Sequence, residues 1–262
     1  MFIPAYHAES DLSILRQFIR ENPLGIFTTA ISTSAKHPFL QVSHIPWVLD
    51  FEEVDGPTNL GRLRGHMARQ NLQAKALIQK LSEESSGAAR NYLEEEVLIV
   101  FNGPVHHYIT PKFYVQTKPD TGKVVPTWNY STVQVYGKAR VFFDTHSDEF
   151  SNFLSKQMDD LTLLTETSIM GYGGSDGPKP WKVSDAPDRY IDLLRKNLIG
   201  IEVEISSMSG KFKWSQEKQK GDRDGVIAGL ENLKSPAGSQ MAEIARERAA
   251  IFDAKKEEIR HA

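Results

Sequence analysis

The sequence contains no cysteine, and its charges nearly balance. None of the 262 residues is cysteine, which excludes disulfides, zinc–thiolate sites, iron–sulfur clusters and thiol nucleophiles. The formal net charge of −3 offers no basic surface for neutralising phosphates, so nucleic acid is a doubtful partner. The chain also lacks an apolar run of about 20 residues and a secretory leader, so we expect a cytoplasmic protein without a membrane span.

Motifs of several enzyme classes are absent as well. The sequence has no helical HExxH, no GxSxG elbow, no GxxxxGK[ST] phosphate loop and no GxGxxG turn between a strand and a helix. Zinc-protease, serine-hydrolase, P-loop and Rossmann interpretations therefore lose their usual signals. The histidines show no metal-ligand spacing, and we predict no metal site.

The residues that are present describe an ordinary globular protein. Hydrophobic residues make up 40% of the chain and charged residues 25%, which is too apolar for intrinsic disorder. Single barrel domains often reach this length. We predict one domain over residues 1–220 and a C-terminal helical extension over 221–262, where Ala, Glu, Lys and Arg dominate.

Hydrophobic periodicity alternates between strands and short helices. Helical spacing occurs at 12–19, 69–81, 147–164 and 188–196. β-rich runs occur at 25–31, 39–49, 61–67, 96–104, 130–141 and 198–214. Small and β-branched residues take every second position of the longest run, so we predict that this face points into a barrel: Val133, Val135, Gly137, Ala139 and Val141.

The first chemical stretch is GHMARQN at 65–71, where His66, Arg69 and Asn71 lie at a strand-to-helix junction. The planar fork of Arg69 suits a phosphate, and free amides at a helix start add partial positive charge. An anion site is therefore one interpretation. The alternative is structural: Arg69 pairs with a carboxylate and Asn71 caps the helix.

The second stretch, residues 102–118, combines two adjacent histidines with tyrosines and lysines around a proline. Tyr108 and Tyr114 have faces that can stack on a flat ring. Polar groups that can bond a phosphate or ribityl chain follow at Thr110, Lys112 and Lys118. The alternative is that the tyrosines only cover a core.

Two further stretches carry weaker signals. Thr127, Trp128 and Asn129 precede a long strand and can line a barrel mouth, although Trp128 can equally be core. In GKFKWSQEK, strand alternation predicts one wet face and one apolar face, with Lys211, Lys213, Ser215 and Glu217 on the wet one. Alternate exposed lysines commonly protect a sheet edge instead.

Taken together, these stretches resemble the FMN-binding negative transcriptional regulator family, the PaiB-like proteins. The similarity covers about 230 residues in one order. It rests on MFIPAYH at 1–7, QVSHIPWVLD at 41–50, LRGHMARQN at 63–71, VLIVFNGPVHHYITPKFYVQTK at 97–118, KVVPTWNYSTVQVYGKAR at 123–140, WKVSDAP at 181–187, IGIEVEI at 199–205, GKFKWSQ at 210–216 and DRDGVIAGL at 222–230.

The resemblance implies an α+β, mainly β fold: an FMN-binding split β-barrel with peripheral helices, like that of pyridoxamine phosphate oxidases and flavin reductases. It further implies a homodimer that holds FMN, a small-molecule ligand, in the groove between its subunits. The cofactor-binding residues that we predict are His66, Arg69, Asn71, Tyr108, Thr110, Lys118, Thr127, Trp128, Asn129 and Lys213.

The sequence also departs from the family pattern. Glu217 stands where the family usually has asparagine, and a carboxylate there repels a flavin phosphate if it faces one. Gln134 replaces a usual histidine, and Thr110 replaces a usual serine while keeping the hydroxyl.

Three functions follow as hypotheses. The first is a flavin-dependent oxidoreductase of unknown substrate, in which the flavin carries the redox chemistry and no catalytic side chain is obligatory. The second is a transcriptional regulator or ligand sensor that holds FMN without turnover. The third is a haem-binding or haem-degrading split barrel with an axial ligand among His44, His66, His106 and His107.

Overall fold

The computed structural model describes residues 1–34, 37–51, 59–83, 91–174 and 177–261. The strands are β1 (Ala8–Glu9), β2 (Leu24–Ala30), β3 (Leu40–Asp50), β4 (Arg62–Ala68), β5 (Tyr92–Asn102), β6 (His107–Ile109), β7 (Thr127–Phe142) and β8 (Leu198–Lys213). The helices are α1 (Leu12–Glu21), α2 (Leu72–Glu83), α3 (Thr117–Asp120), α4 (Asp148–Leu164), α5 (Asp188–Lys196), α6 (Lys220–Glu231) and α7 (Pro236–His261). None of the helices in these ranges has the length and apolarity needed to cross a membrane.

The chain forms two compact units, which we call the barrel unit and the terminal unit. The barrel unit consists of residues 16–101 and 134–208, and the terminal unit of residues 1–15, 102–133 and 209–262. Strands β7 and β8 contribute residues to both units. The predicted division at residue 220 stays a prediction.

The barrel unit is a closed six-stranded barrel. Its strand order is β8-β4-β3-β2-β5-β7, and a pairing between β8 and β7 closes the ring. Val135, Ala139 and Val141 are fully buried, as the alternation predicted. A Cβ added at Gly137 collides with the carbonyl oxygen of Glu204, so β7 and β8 approach closely at this position. The predicted mainly β split-barrel fold is confirmed.

Short strands and helices make up the terminal unit. β1 pairs antiparallel with β8, and β6 pairs antiparallel with β7. Arg223 on α6 makes a bidentate ion pair with Asp253 on α7, with both N–O distances at 2.8 Å. Arg248 on α7 lies 2.7 Å from Glu9 on β1. The predicted C-terminal helical extension is confirmed, and these ion pairs join its helices to each other and to β1.

The alternation predicted for GKFKWSQEK is wrong beyond Lys213. β8 ends there, Ser215 has a φ of 65°, and the amide of Lys218 donates to the carbonyl of Ser215 at 3.1 Å. Ser215 is only 1% exposed and so does not share a wet face with Lys211. The reason is physical: a left-handed residue turns the chain out of the strand, so period two no longer assigns faces.

Candidate functional site

An aromatic surface covers the β6–β7 pair in the terminal unit. Tyr108 lies directly opposite Trp128 across the two strands, with ring centroids 6.2 Å apart. The ring of His106 lies 5.9 Å from that of Trp128. Tyr108 is 42% exposed and Trp128 is 52% exposed, so the core interpretation of Trp128 is wrong. We call these three residues the aromatic ledge; its exposed faces can take up a flat ring.

Lys213, the last residue of β8, places a cation next to Thr127, the first residue of β7. Lys213 Nζ donates a hydrogen bond to Oγ1 of Thr127, the residue before Trp128. Burial lowers the pKa of Lys213, and the nearby Glu217 carboxylate partly opposes this effect. The predicted residues Thr127, Trp128 and Lys213 therefore lie together in the structure.

Asn129 occupies a different environment from Trp128. Its side chain is fully buried, and its Oδ1 accepts a hydrogen bond from Ser215 Oγ at 3.0 Å. Its Nδ2 has no hydrogen-bond partner among the described residues. Asn129 therefore stabilises the turn after β8. Its unpaired amide hydrogens are a buried donor on β7, next to Trp128.

The segment after β6 separates its predicted residues. Thr110 is half-buried, and its Oγ1 accepts from the amide of Lys112 at 3.3 Å to cap a short 3-10 turn. Lys118 is exposed on α3. Tyr114 is only 2% exposed, so its ring face is not accessible to a ligand and the expectation that it stacks on one is wrong. The same burial raises the pKa of its phenol.

The remaining predicted residues lie in the barrel unit, where β4 leads into α2. Asn71 Oδ1 accepts from the amide of Gln73 at 2.9 Å, and Asn71 Nδ2 donates to Ser43 Oγ at 2.9 Å. Asn71 is therefore a helix cap, as its structural interpretation stated. This cap also explains why α2 begins at Leu72 rather than at the predicted residue 69.

His66 and Arg69 keep unused hydrogen-bonding atoms at this junction. Arg69 Nη2 donates to the carbonyl of Phe143 rather than to a carboxylate, and its Nε has no partner in the described part of the chain. His66 Nδ1 is likewise buried and unpartnered there. Burial lowers the pKa of His66, which keeps its imidazole neutral at physiological pH.

Sequence reasoning missed one polar pair in the terminal unit. His7 Nε2 lies 3.0 Å from Glu217 Oε2, although the two residues are 210 positions apart. Burial acts to raise the pKa of Glu217, but the hydrogen bond from His7, a backbone hydrogen bond and the nearby charges of His7 and Lys218 together outweigh it, so the net pKa is lowered. The unusual carboxylate at 217 is thus already partnered. His7 in the MFIPAYH motif and the departure from the family pattern at Glu217 were the two available signals, and only the fold brings these residues together.

Comparison with known proteins decides the family. A family model described as "Putative FMN-binding domain" matches residues 1–207. The chain belongs to this family. The match supports FMN as the cofactor and lends no support to the haem alternative.

Relatives of the chain occur in fungi and bacteria. An uncharacterized protein of Emericella nidulans is 55% identical, covering 97% of this chain and all of the relative. Protease synthase and sporulation protein PAI 2 of Bacillus subtilis is 28% identical, covering 93% of this chain and 96% of its own. This similarity confirms the PaiB-like resemblance.

Among solved structures, a pyridoxamine 5'-phosphate oxidase-related FMN binding protein from Nostoc punctiforme aligns at 8% identity. The alignment covers 80% of this chain and 86% of that one, with a TM-score of 0.36.

Proposed function

We propose that this protein binds FMN as a homodimer and acts as a flavin-dependent oxidoreductase on a small molecule. The observation that carries the proposal is the exposed aromatic ledge in a chain of the FMN-binding family. Large aromatic faces are costly to leave in water, and an isoalloxazine ring is flat enough to cover them.

The side chains of the terminal unit fit such a ligand. Tyr108 and Trp128 offer ring faces, and Lys213 offers a cation for negative charge. When bound, the flavin supplies the redox chemistry, and the protein orients it and shields it from water.

The homodimer is supported by an apolar outer face on the barrel unit. Leu24, Leu40 and Val42 are 58%, 66% and 56% exposed on the neighbouring strands β2 and β3. The face extends towards β5, where Ile26 pairs with Val100. Exposed apolar side chains on one outer face favour an interaction surface, and a second copy of the chain is the partner that FMN binding between subunits requires.

The interface can be tested by charge substitution. V42E places a carboxylate in the apolar face and should turn a dimer into a monomer in analytical ultracentrifugation. L163E is the matched control, because Leu163 on α4 is also 58% exposed but lies outside this face. A wild-type protein that sediments as a monomer, or equal effects of the two substitutions, contradicts the homodimer.

FMN binding is tested by titration with flavin fluorescence as the readout. W128A should weaken FMN binding about threefold to tenfold, the value of one aromatic stacking contact. W181A is the control, since Trp181 is 46% exposed but belongs to the barrel unit and is not part of the ledge. Equal effects of W128A and W181A would remove the ledge from the proposed site.

Turnover separates the enzyme from the sensor. The FMN-loaded protein is mixed with NADH or NADPH and the flavin absorbance is followed. Bleaching of the flavin band and its recovery with an added acceptor support an oxidoreductase. Bound FMN that no donor reduces supports the sensor that holds FMN without turnover.

A further inference from the structure

A cavity lies beside the aromatic ledge in the terminal unit. Its volume is about 340 Å³, within the range of small-molecule sites. One wall comes from the loop before β6 and the first residue of β6, and carries His106 and His107. The other comes from the turn between α6 and α7 and from α7 itself. The second wall consists of Leu233, Ser235, Ala237 and Met241.

The second wall lies outside the part of the chain that defines the family. The family match ends at residue 207, whereas all four residues of this wall follow residue 230. The C-terminal extension therefore adds a surface that FMN binding by the matched region does not explain. A wall that lies outside the matched region can contact a second ligand besides FMN.

The polar groups of the cavity favour a hydroxyl group. His107 Nδ1 lies 2.5 Å from the carbonyl oxygen of Tyr108. Because a carbonyl only accepts, Nδ1 carries a hydrogen, and in the tautomer that carries its one hydrogen there Nε2 is an acceptor. Ser235 Oγ accepts from the amide of Gly238 at 3.1 Å, so its own hydrogen remains available to a ligand. A ligand hydroxyl can donate to the imidazole and accept from the serine.

The rest of the lining is apolar. Val105, Leu233, Ala237 and Met241 supply hydrocarbon and thioether surface, and Met241 is only 2% exposed. Methionine adapts well to flat aromatic groups. His106 belongs to both the cavity and the ledge, since its ring lies 5.9 Å from that of Trp128. The occupant of the cavity therefore lies next to the surface that we assign to the flavin.

We propose that this cavity binds a small hydroxylated aromatic molecule, and that this is the substrate class of the enzyme. The inference rests on the proposed function for the substrate role, but not for the binding itself. The C-terminal extension then acts as the specificity element of a flavin site whose other parts belong to the family region.

The test uses 2-naphthol as the probe, whose binding to the full-length protein is followed by its own fluorescence. A237W fills the cavity from an exposed position in the first turn of α7. A254W places the same side chain at an exposed position later in the same helix, away from the lining. We expect A237W to weaken 2-naphthol binding at least about tenfold and A254W to change it less than about twofold.

A second probe tests the chemistry of the ligand. Naphthalene lacks the hydroxyl, so it should bind about threefold to tenfold more weakly than 2-naphthol to the wild-type protein. Equal binding of the two probes overturns the hydroxyl specificity. Equal 2-naphthol binding by A237W and A254W overturns the cavity as the site.

FMN titrations of the same variants separate this inference from the proposed function. A237W should bind FMN as the wild type does, because Ala237 belongs to the α7 wall of the cavity and is not part of the ledge. If the wild type binds 2-naphthol in an A237W-sensitive way but binds no FMN, the proposed function fails and the substrate role fails with it, while the binding site is upheld. If FMN binds and 2-naphthol does not, the proposed function stands and the cavity proposal is overturned.

Discussion

The barrel unit and the terminal unit use their polar residues in different ways. In the barrel unit, Asn71 caps a helix and Arg69 donates to a backbone carbonyl. In the terminal unit, Tyr108 and Trp128 are 42% and 52% exposed to solvent. The comparison teaches that Arg69 and Asn71 of the GHMARQN motif bond to other parts of the barrel unit, while the aromatic ledge leaves surface for a ligand.

The two units are also held together internally by different forces. Close strand contact at Gly137 and fully buried side chains such as Val135 characterise the barrel unit. Polar contacts recur in the terminal unit, where Asp222 accepts from the amides of Gln116 and Thr117 at 2.8 and 3.1 Å. We therefore expect added side-chain volume to lower the free energy of unfolding in the barrel unit. In the terminal unit, we expect the removal of a buried charge to lower it.

The largest expected effect comes from closing the gap at Gly137. G137A puts a methyl group into the carbonyl oxygen of Glu204, which belongs to backbone and cannot move aside, so we expect a loss of about 3 kcal/mol or more in the free energy of unfolding. Urea denaturation followed by tryptophan fluorescence measures it.

The control for this change is G174A. A Cβ at Gly174 meets nothing within 4 Å among the described residues, so the stability should stay within about 0.5 kcal/mol of wild type. If G137A were as stable as G174A, the close approach of β7 and β8 would not be a condition of barrel closure.

The next effect concerns the polar framework of the terminal unit. D222N keeps the volume of the side chain but weakens its bonds to Thr117 and Gln116, and we expect a loss of about 1–3 kcal/mol near neutral pH. D224N is the control, because Asp224 makes an exposed pair with Lys220. Denaturation of both variants under the same conditions gives the comparison.

Asp222 also predicts a pH dependence. Burial acts to raise its pKa, but hydrogen bonds from Thr117 and Gln116 outweigh burial and bring the pKa below the ordinary value of 3.8. Its contribution to stability is therefore complete above pH 3.8 and is lost as the pH falls through the folded-state value. The stability difference between wild type and D222N should shrink in acid; a constant difference would mean that the charge of Asp222 is not responsible.

Much of the fold could be predicted from sequence, because periodicity is a local property. The helix predicted at 188–196 is α5 at the same bounds, and the inward face of β7 followed from alternation. Alternation failed at Ser215, where a left-handed backbone turns the chain. Burial of Tyr114 was also missed, since the spacing of aromatic residues does not tell which of them the helices cover.

The candidate site could be predicted only in part, because its contacts are long-range. Trp128 and Lys213 were named from their own motifs, but their common place on one strand pair depends on register. His7 pairs with Glu217, and α7 forms a wall of the cavity beside His106. Both contacts join segments that are far apart in the sequence, and no local pattern predicts them. Residues within one motif are thus predictable, and partners between motifs require the fold.

The smallest expected effect tests the other side of the comparison. N71A removes the cap of α2 and should lower the free energy of unfolding by about 1 kcal/mol. We expect FMN affinity to change less than about twofold, because the Asn71 amide already bonds Ser43 and Gln73.

N152A is the control for this change, since Asn152 is exposed within α4 and alanine suits a helix interior. Flavin titration and urea denaturation of both variants decide the role of Asn71. A loss of FMN affinity in N71A as large as that expected for W128A would return Asn71 to the cofactor-binding residues predicted from the sequence. The junction of β4 and α2 would then contribute to the ligand site as much as the aromatic ledge does, and the contrast between the two units would no longer hold.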